Sequence, residues 1–141
     1  MKKMPQYTLV LEGQRAYAIL LDKNICGGAA DGSFKYDLEI TASKLDAQGF
    51  VIDNVVRELI AKEWNDTTYI ASCEQLAGGL VNYIRADMGT RLASVVARVY
   101  NKTGYAEIVW TKGQEAPVGP RKATQKEKNA ERNTYRTKSA C

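Results

Sequence analysis

Phe34-Lys35-Tyr36-Asp37-Leu38-Glu39-Ile40-Thr41-Ala42 alternates without a break. Phe34, Tyr36, Leu38, Ile40 and Ala42 fall on one side of an extended chain, and Lys35, Asp37, Glu39 and Thr41 on the other. This is the period-two pattern of a strand buried on one face only. Downstream, Gly49-Phe50-Val51-Ile52 leads into Asp53, after which Val55, Val56, Leu59, Ile60 and Trp64 recur at helical spacing. Asp53 is therefore the expected N-cap of a first helix, which Asn65-Asp66 ends.

Ser72-Cys73-Glu74-Gln75 matches a capping box, in which the serine hydroxyl accepts from the backbone and the glutamine side chain reaches back to the cap amide. A second helix starts there, with Leu76, Leu80, Tyr83 and Ile84 as its apolar stripe and Gly89 as the residue that stops it. Ala93 to Tyr100 and Tyr105 to Thr111 are two apolar-rich runs joined by Asn101-Lys102-Thr103-Gly104, a hairpin. Upstream, Tyr7-Thr8-Leu9-Val10-Leu11 followed by a turn at Glu12-Gly13-Gln14 and by Ala16 to Leu21 reads as another hairpin. The order is ββ-αα-ββ. Helices grouped between strand pairs imply the α+β class: an antiparallel sheet with both helices on one face. The uncovered face and the open strand edges lead us to expect an oligomer.

Composition limits the function. The chain has 141 residues, 45% hydrophobic and 26% charged, the profile of one ordinary soluble domain. The amino terminus, Met1-Lys2-Lys3-Met4-Pro5, leads into a polar-interrupted strand, and no apolar run is long enough for a membrane span, so the expectation is a cytoplasmic protein without membrane contact. Cys26, Cys73 and Cys141 are odd in number and widely spaced, as suits a reducing compartment. Histidine is absent, which removes imidazole proton shuttling and every histidine-ligated metal site. No cofactor and no metal are expected.

Charge divides the chain. Residues 1–118 hold 13 Lys+Arg against 14 Asp+Glu, and residues 119–141 hold 7 against 2. With Pro117, Pro120 and few apolar residues after Lys112, the expected organisation is an α+β domain over 1–112 and a basic tail over 113–141.

Several stretches resemble the tunnelling fold, specifically the family of 6-pyruvoyl- and 6-carboxy-tetrahydropterin synthases. Phe34 to Thr41 followed by Leu45-Asp46-Ala47-Gln48-Gly49-Phe50-Val51-Ile52-Asp53 is similar to that family's second strand, its acidic-x-x-Gly-Met-Val-x-Asp link and the cap of its first helix. Ser72-Cys73-Glu74-Gln75-Leu76-Ala77 is similar to the start of its second helix, and Val96-Ala97-Arg98-Val99-Tyr100 to its penultimate strand. The resemblance spans roughly residues 34–111 and implies an oligomer with pockets between subunits. The family binds zinc through three histidines, two of them in a His-Gly-His sequence before the second strand, where this chain reads Ala29-Ala30-Asp31-Gly32-Ser33. Its pterin-anchoring glutamate follows the penultimate strand, where this chain has Asn101, with Glu107 the nearest carboxylate on the next strand.

These departures set the candidates. Asn101 offers one donor and one acceptor, which suits a base other than the guanidine-like edge of a pterin, and it is equally a preferred turn residue. Tyr105, beginning its strand, is a stacking candidate, whereas Tyr36 shares a face with Leu38 and Ile40 and reads as core. Arg98, Lys102, Arg132 and Arg136 are candidate phosphate ligands; in a helical tail the last two would stand four apart on one face. Cys73 at a helix start and Cys26 in the glycine-rich loop lack a partner base. Glycines and alanines between Gly27 and Gly32 form neither GxGxxG nor a phosphate loop.

The expected function is binding, without catalysis, of a small planar or nucleotide-type ligand of purine, pterin or nucleotide kind, of which sequestration of a nucleotide second messenger, as in phage counter-defence, is one version. The alternatives are a pterin- or deazapurine-forming enzyme of the resembled family, and a structural or nucleic-acid-associated protein acting through its basic tail.

Overall fold

The computed structural model describes residues 5–15, 34–66, 69–100, 104–122 and 124–126. Four strands form one antiparallel sheet in the order β1-β2-β4-β5: β1 (Tyr7–Arg15), β2 (Phe34–Ala42), β4 (Leu92–Tyr100) and β5 (Tyr105–Thr111). Between β2 and β4 the chain forms α1 (Asn54–Asp66), the two-residue β3 (Tyr69–Ile70) and α2 (Cys73–Met88). The α+β class holds, and the four sheet strands and two helices follow the ββ-αα-ββ order, with the short β3 added between the helices.

The register explains the core. Leu9 lies opposite Ile40, Ile40 opposite Val95 and Val95 opposite Trp110, while Leu11, Leu38, Ala97 and Ile108 form the next row. Leu38, Ile40, Val95 and Ala97 are fully buried, and α2 adds Leu76, Ala77, Val81 and Ile84. β2 alternates as its sequence demands, with Phe34, Tyr36, Leu38, Ile40 and Ala42 all buried.

One expected turn is strand instead. β1 runs unbroken through Glu12-Gly13-Gln14 and pairs with β2 from Tyr7 opposite Ala42 to Arg15 opposite Phe34. Gly13 lies opposite Tyr36, and a Cβ there would clash with the tyrosine ring. The glycine serves close packing rather than a turn, because the Tyr36 ring occupies the space a side chain would take. The second strand expected over 16–21 lies outside the described residues, as does the glycine-rich loop with Cys26.

The caps form as their sequences require. Asp53 accepts the Val55 amide through Oδ1 at 2.8 Å. Ser72 Oγ accepts the Gln75 amide at 3.2 Å, and Gln75 Oε1 accepts the Ser72 amide at 2.9 Å. Gly89 ends α2 at φ 57° and donates its amide to Arg85 O. The apolar face of α1 is narrower than its spacing suggested: Ile60 and Trp64 are buried, but Val55 and Leu59 stand exposed. Residues 56, 60 and 64 follow one another a helical turn apart on the sheet side, and 55 and 59 are rotated about 100° off it.

Segment 113–122, assigned to the tail by composition, docks along α2. Asn82 Nδ2 donates to Pro117 O at 2.8 Å and Trp110 Nε1 to Glu115 O at 3.1 Å. β6 (Arg121–Lys122) then pairs antiparallel with β3, and Lys122 Nζ lies 3.0 Å from Glu63 Oε1. Gly78 and Gly79 make the crossing possible, since a Cβ on Gly78 would strike Val118 O and one on Gly79 would come within 2.5 Å of Pro120 Cδ. Two prolines and low hydropathy hid a segment that packs by its backbone.

Candidate functional site

Among the described residues two places gather chemistry: the face of the sheet turned away from the helices, and a cleft on the helix side beneath the 117–122 strap.

The register sorts the open face into rows, because residues directly opposite on neighbouring strands stand within about 5.5 Å of each other. Thr8, Thr41, Ser94 and Thr111 make one row, with the Thr8 and Thr41 hydroxyls 3.1 Å apart. Val10, Glu39, Val96 and Val109 make the next; Val10 and Val109 are 58% and 59% exposed. Then come Glu12, Asp37, Arg98 and Glu107, and finally Lys35, Tyr100 and Tyr105.

These last two rows interlock. Arg98 Nε donates to Glu107 Oε1 at 2.8 Å, a charge-assisted bond between half-exposed partners. Tyr100 donates its hydroxyl to Asp37 Oδ2 at 2.9 Å. That bond, with partial desolvation and the Asp37 charge, raises the Tyr100 phenol above its ordinary pKa of 10.0. At Arg98 desolvation works against the charge, and the Glu107 carboxylate outweighs it, so the guanidinium pKa is raised. The Tyr100 and Tyr105 rings lie 5.0 Å apart at 33°, and Lys35 Nζ sits 4.8 Å from the Tyr100 ring centroid. Tyr105 is 60% exposed and forms the outer end of this stack.

The structure thus brings together three of the residues singled out from the sequence: Arg98, Tyr105 and Glu107. Asn101, Lys102, Arg132 and Arg136 lie outside the described residues. Tyr36 is core, as its strand face implied; burial raises its phenol pKa, and its ring meets Trp64 edge-on at 5.0 Å. Cys73 is half-buried in the first turn of α2. Lys35, Asp37 and Tyr100 were not singled out. The alternation of β2 already put Lys35 and Asp37 on the polar side, but only the register sets Tyr100 opposite Lys35 and Arg98 opposite Asp37.

The second place is a half-open cleft of about 280 Å³ between α1, α2 and the strap. Its walls are Ile60, Trp64, Tyr69, Leu76, Leu80 and Tyr83, with Glu63, Asn82 and Lys122 supplying polar groups. Nothing in the sequence reading pointed to it, because its roof is the strap.

Comparison with solved structures fixes the architecture. Two catalytic-residue mutants of Plasmodium vivax 6-pyruvoyltetrahydropterin synthase superpose with a TM-score of 0.50, at 11% and 12% sequence identity. In each case the match covers 76% of this chain and 99% of the other. The chain has the tunnelling fold. At that identity the likeness is one of fold alone. No protein-family model and no curated protein sequence matches the chain.

The histidine-based zinc centre that the resemblance would imply does not fit these residues. A chain without histidine cannot supply imidazole ligands. Among the described residues no group of three or more Cys, Asp or Glu side chains is placed to hold a metal ion. Among the same residues no helix is long and apolar enough to cross a membrane.

Proposed function

We propose that this chain is an oligomeric binding protein that holds a small planar, nucleotide-type ligand on the open face of its sheet without transforming it. The observation that carries this reading is the pairing of a tyrosine stack, half-buried Tyr100 and exposed Tyr105, with the Arg98–Glu107 ion pair one row away. A planar base can extend the stack over Tyr105, a sequence-tolerant contact worth about 1–3 kcal/mol. Glu107 accepts from ring N–H groups. Arg98 has five N–H donors and commits Nε to Glu107, which leaves its terminal nitrogens for phosphate or carbonyl oxygens.

An exposed sheet face with two valines at 58% and 59% exposure, and two edges unpaired among the described residues, favours assembly of several copies around the ligand. The same surroundings supply no imidazole for proton transfer. Recognition asks only for complementary shape and anchors, which the face offers. The basic residues of the tail, Arg132 and Arg136 among them, are proposed as further phosphate contacts.

Isothermal titration with mono-, di- and cyclic nucleotides and with dihydroneopterin triphosphate, combined with native mass spectrometry, tests the proposal. Saturable binding by an oligomer, weakened about tenfold or more in Tyr105→Ala and Arg98→Ala, is the expected result. Conversion of dihydroneopterin triphosphate to a new product would favour a pterin enzyme. Binding confined to polynucleotides and abolished by moderate salt would favour a nucleic-acid-associated protein.

A further inference from the structure

The cleft beneath the strap has the composition of a receptor for an organic cation. Trp64, Tyr69 and Tyr83 present three aromatic side chains to one space of about 280 Å³, and Glu63 brings a carboxylate to the same space. Aromatic faces attract cations through the ring quadrupole, and desolvation strengthens that attraction. A cavity this size is well above the water-sized voids of ordinary protein interiors, and it is open on one side, so a molecule can enter.

The chain already places a cation at this spot. Lys122 Nζ lies 3.0 Å from Glu63 Oε1, and the Tyr69 hydroxyl donates to the same oxygen at 3.2 Å. The Lys122 side chain is 66% exposed, so its ammonium is largely hydrated and its ion pair with Glu63 is weakly held. A two-residue ladder between β3 and β6, the Asn82 bond to Pro117 O and close backbone packing on Gly78 and Gly79 hold the strap beside it. We propose that this cleft binds a small amine or quaternary ammonium compound with an aromatic body. Its cationic head replaces Lys122 at Glu63, its ring lies among Trp64, Tyr69 and Tyr83, and the strap closes over it. The site is on the opposite side of the sheet from the nucleotide-type site and does not depend on it.

Benzyltrimethylammonium is the probe, and benzyl alcohol its neutral counterpart, each titrated calorimetrically into the full-length protein. The expected outcome is saturable binding of the cation, at least about tenfold tighter than the alcohol. The Trp64 indole resonance, assigned with Trp64→Phe, shifts while that of Trp110 stays in place. Glu63→Gln weakens cation binding about tenfold, and Lys122→Ala leaves it equal or a few-fold tighter, because a competing charge is gone. Circular dichroism establishes that both variants are folded. Equal affinity for cation and alcohol, absence of cation binding in both the unsubstituted protein and Lys122→Ala, or unchanged affinity in a folded Glu63→Gln would each overturn the proposal.

Discussion

Gly78 packs against the Val118 carbonyl, so Gly78→Ala must push the strap outward. The substitution should destabilise the protein by about 1–3 kcal/mol even though alanine is the better helix former. Gly119→Ala, whose Cβ would meet nothing nearer than 3.6 Å, should be almost neutral, and urea unfolding of the two variants side by side checks the contrast. Asp46 is held by the same kind of local constraint. Its Oδ1 accepts the amides of Gln48 and Phe50 at 2.9 and 3.0 Å, closing the turn in which Gly49 has φ 93°. Those bonds, the Phe50 amide first and then Gln48, with the Arg91 charge, lower its pKa beneath the ordinary 3.8. A carboxylate with a depressed folded pKa adds stability above its unfolded value and loses it as pH falls through the folded one. The difference in melting temperature between the protein and Asp46→Ala should therefore be largest near neutrality and shrink below pH 3.8. The Asp-x-x-Gly spacing was legible in the sequence as a link; that the aspartate closes it through two amides was not.

At the scale of elements, the caps and the strand alternation carry most of the definition. Ser72→Ala removes the hydroxyl that accepts the Gln75 amide and should cost about 1 kcal/mol, read from denaturant midpoints. Trp64→Ala empties the contact between α1 and Tyr36 of β2 and should cost about 3–5 kcal/mol by the same measurement. Helices, caps, β2, β4 and β5 could be read locally because each signal lies within a few residues. The course of β1 could not. Glu12-Gly13-Gln14 has turn chemistry, and it stays extended because Tyr36, more than twenty residues further along, needs the space at Gly13. The strap was missed for the same reason: its ladder with β3 is two residues long and leaves no periodic trace.

For the whole molecule, the decisive surface is the open sheet face. Val109→Lys would place a fixed charge in the middle of the Val10, Glu39, Val96 and Val109 row. If copies close over this face as proposed, native mass spectrometry should show the oligomer reduced to smaller species, with the fold retained by circular dichroism. The amino-acid sequence by itself determined β2, the two helices, β4 and β5, the α+β class and the want of imidazole chemistry, since each depends on residue type or on spacing along the chain. Arg98, Tyr105 and Glu107 could be named from it, but not what they touch. Only the tertiary structure decided that Arg98 pairs with Glu107, that Tyr100 joins Asp37, and that a cleft opens under the strap. Those facts depend on strand register and on the crossing at Gly78 and Gly79, contacts between residues distant in sequence that no local pattern encodes.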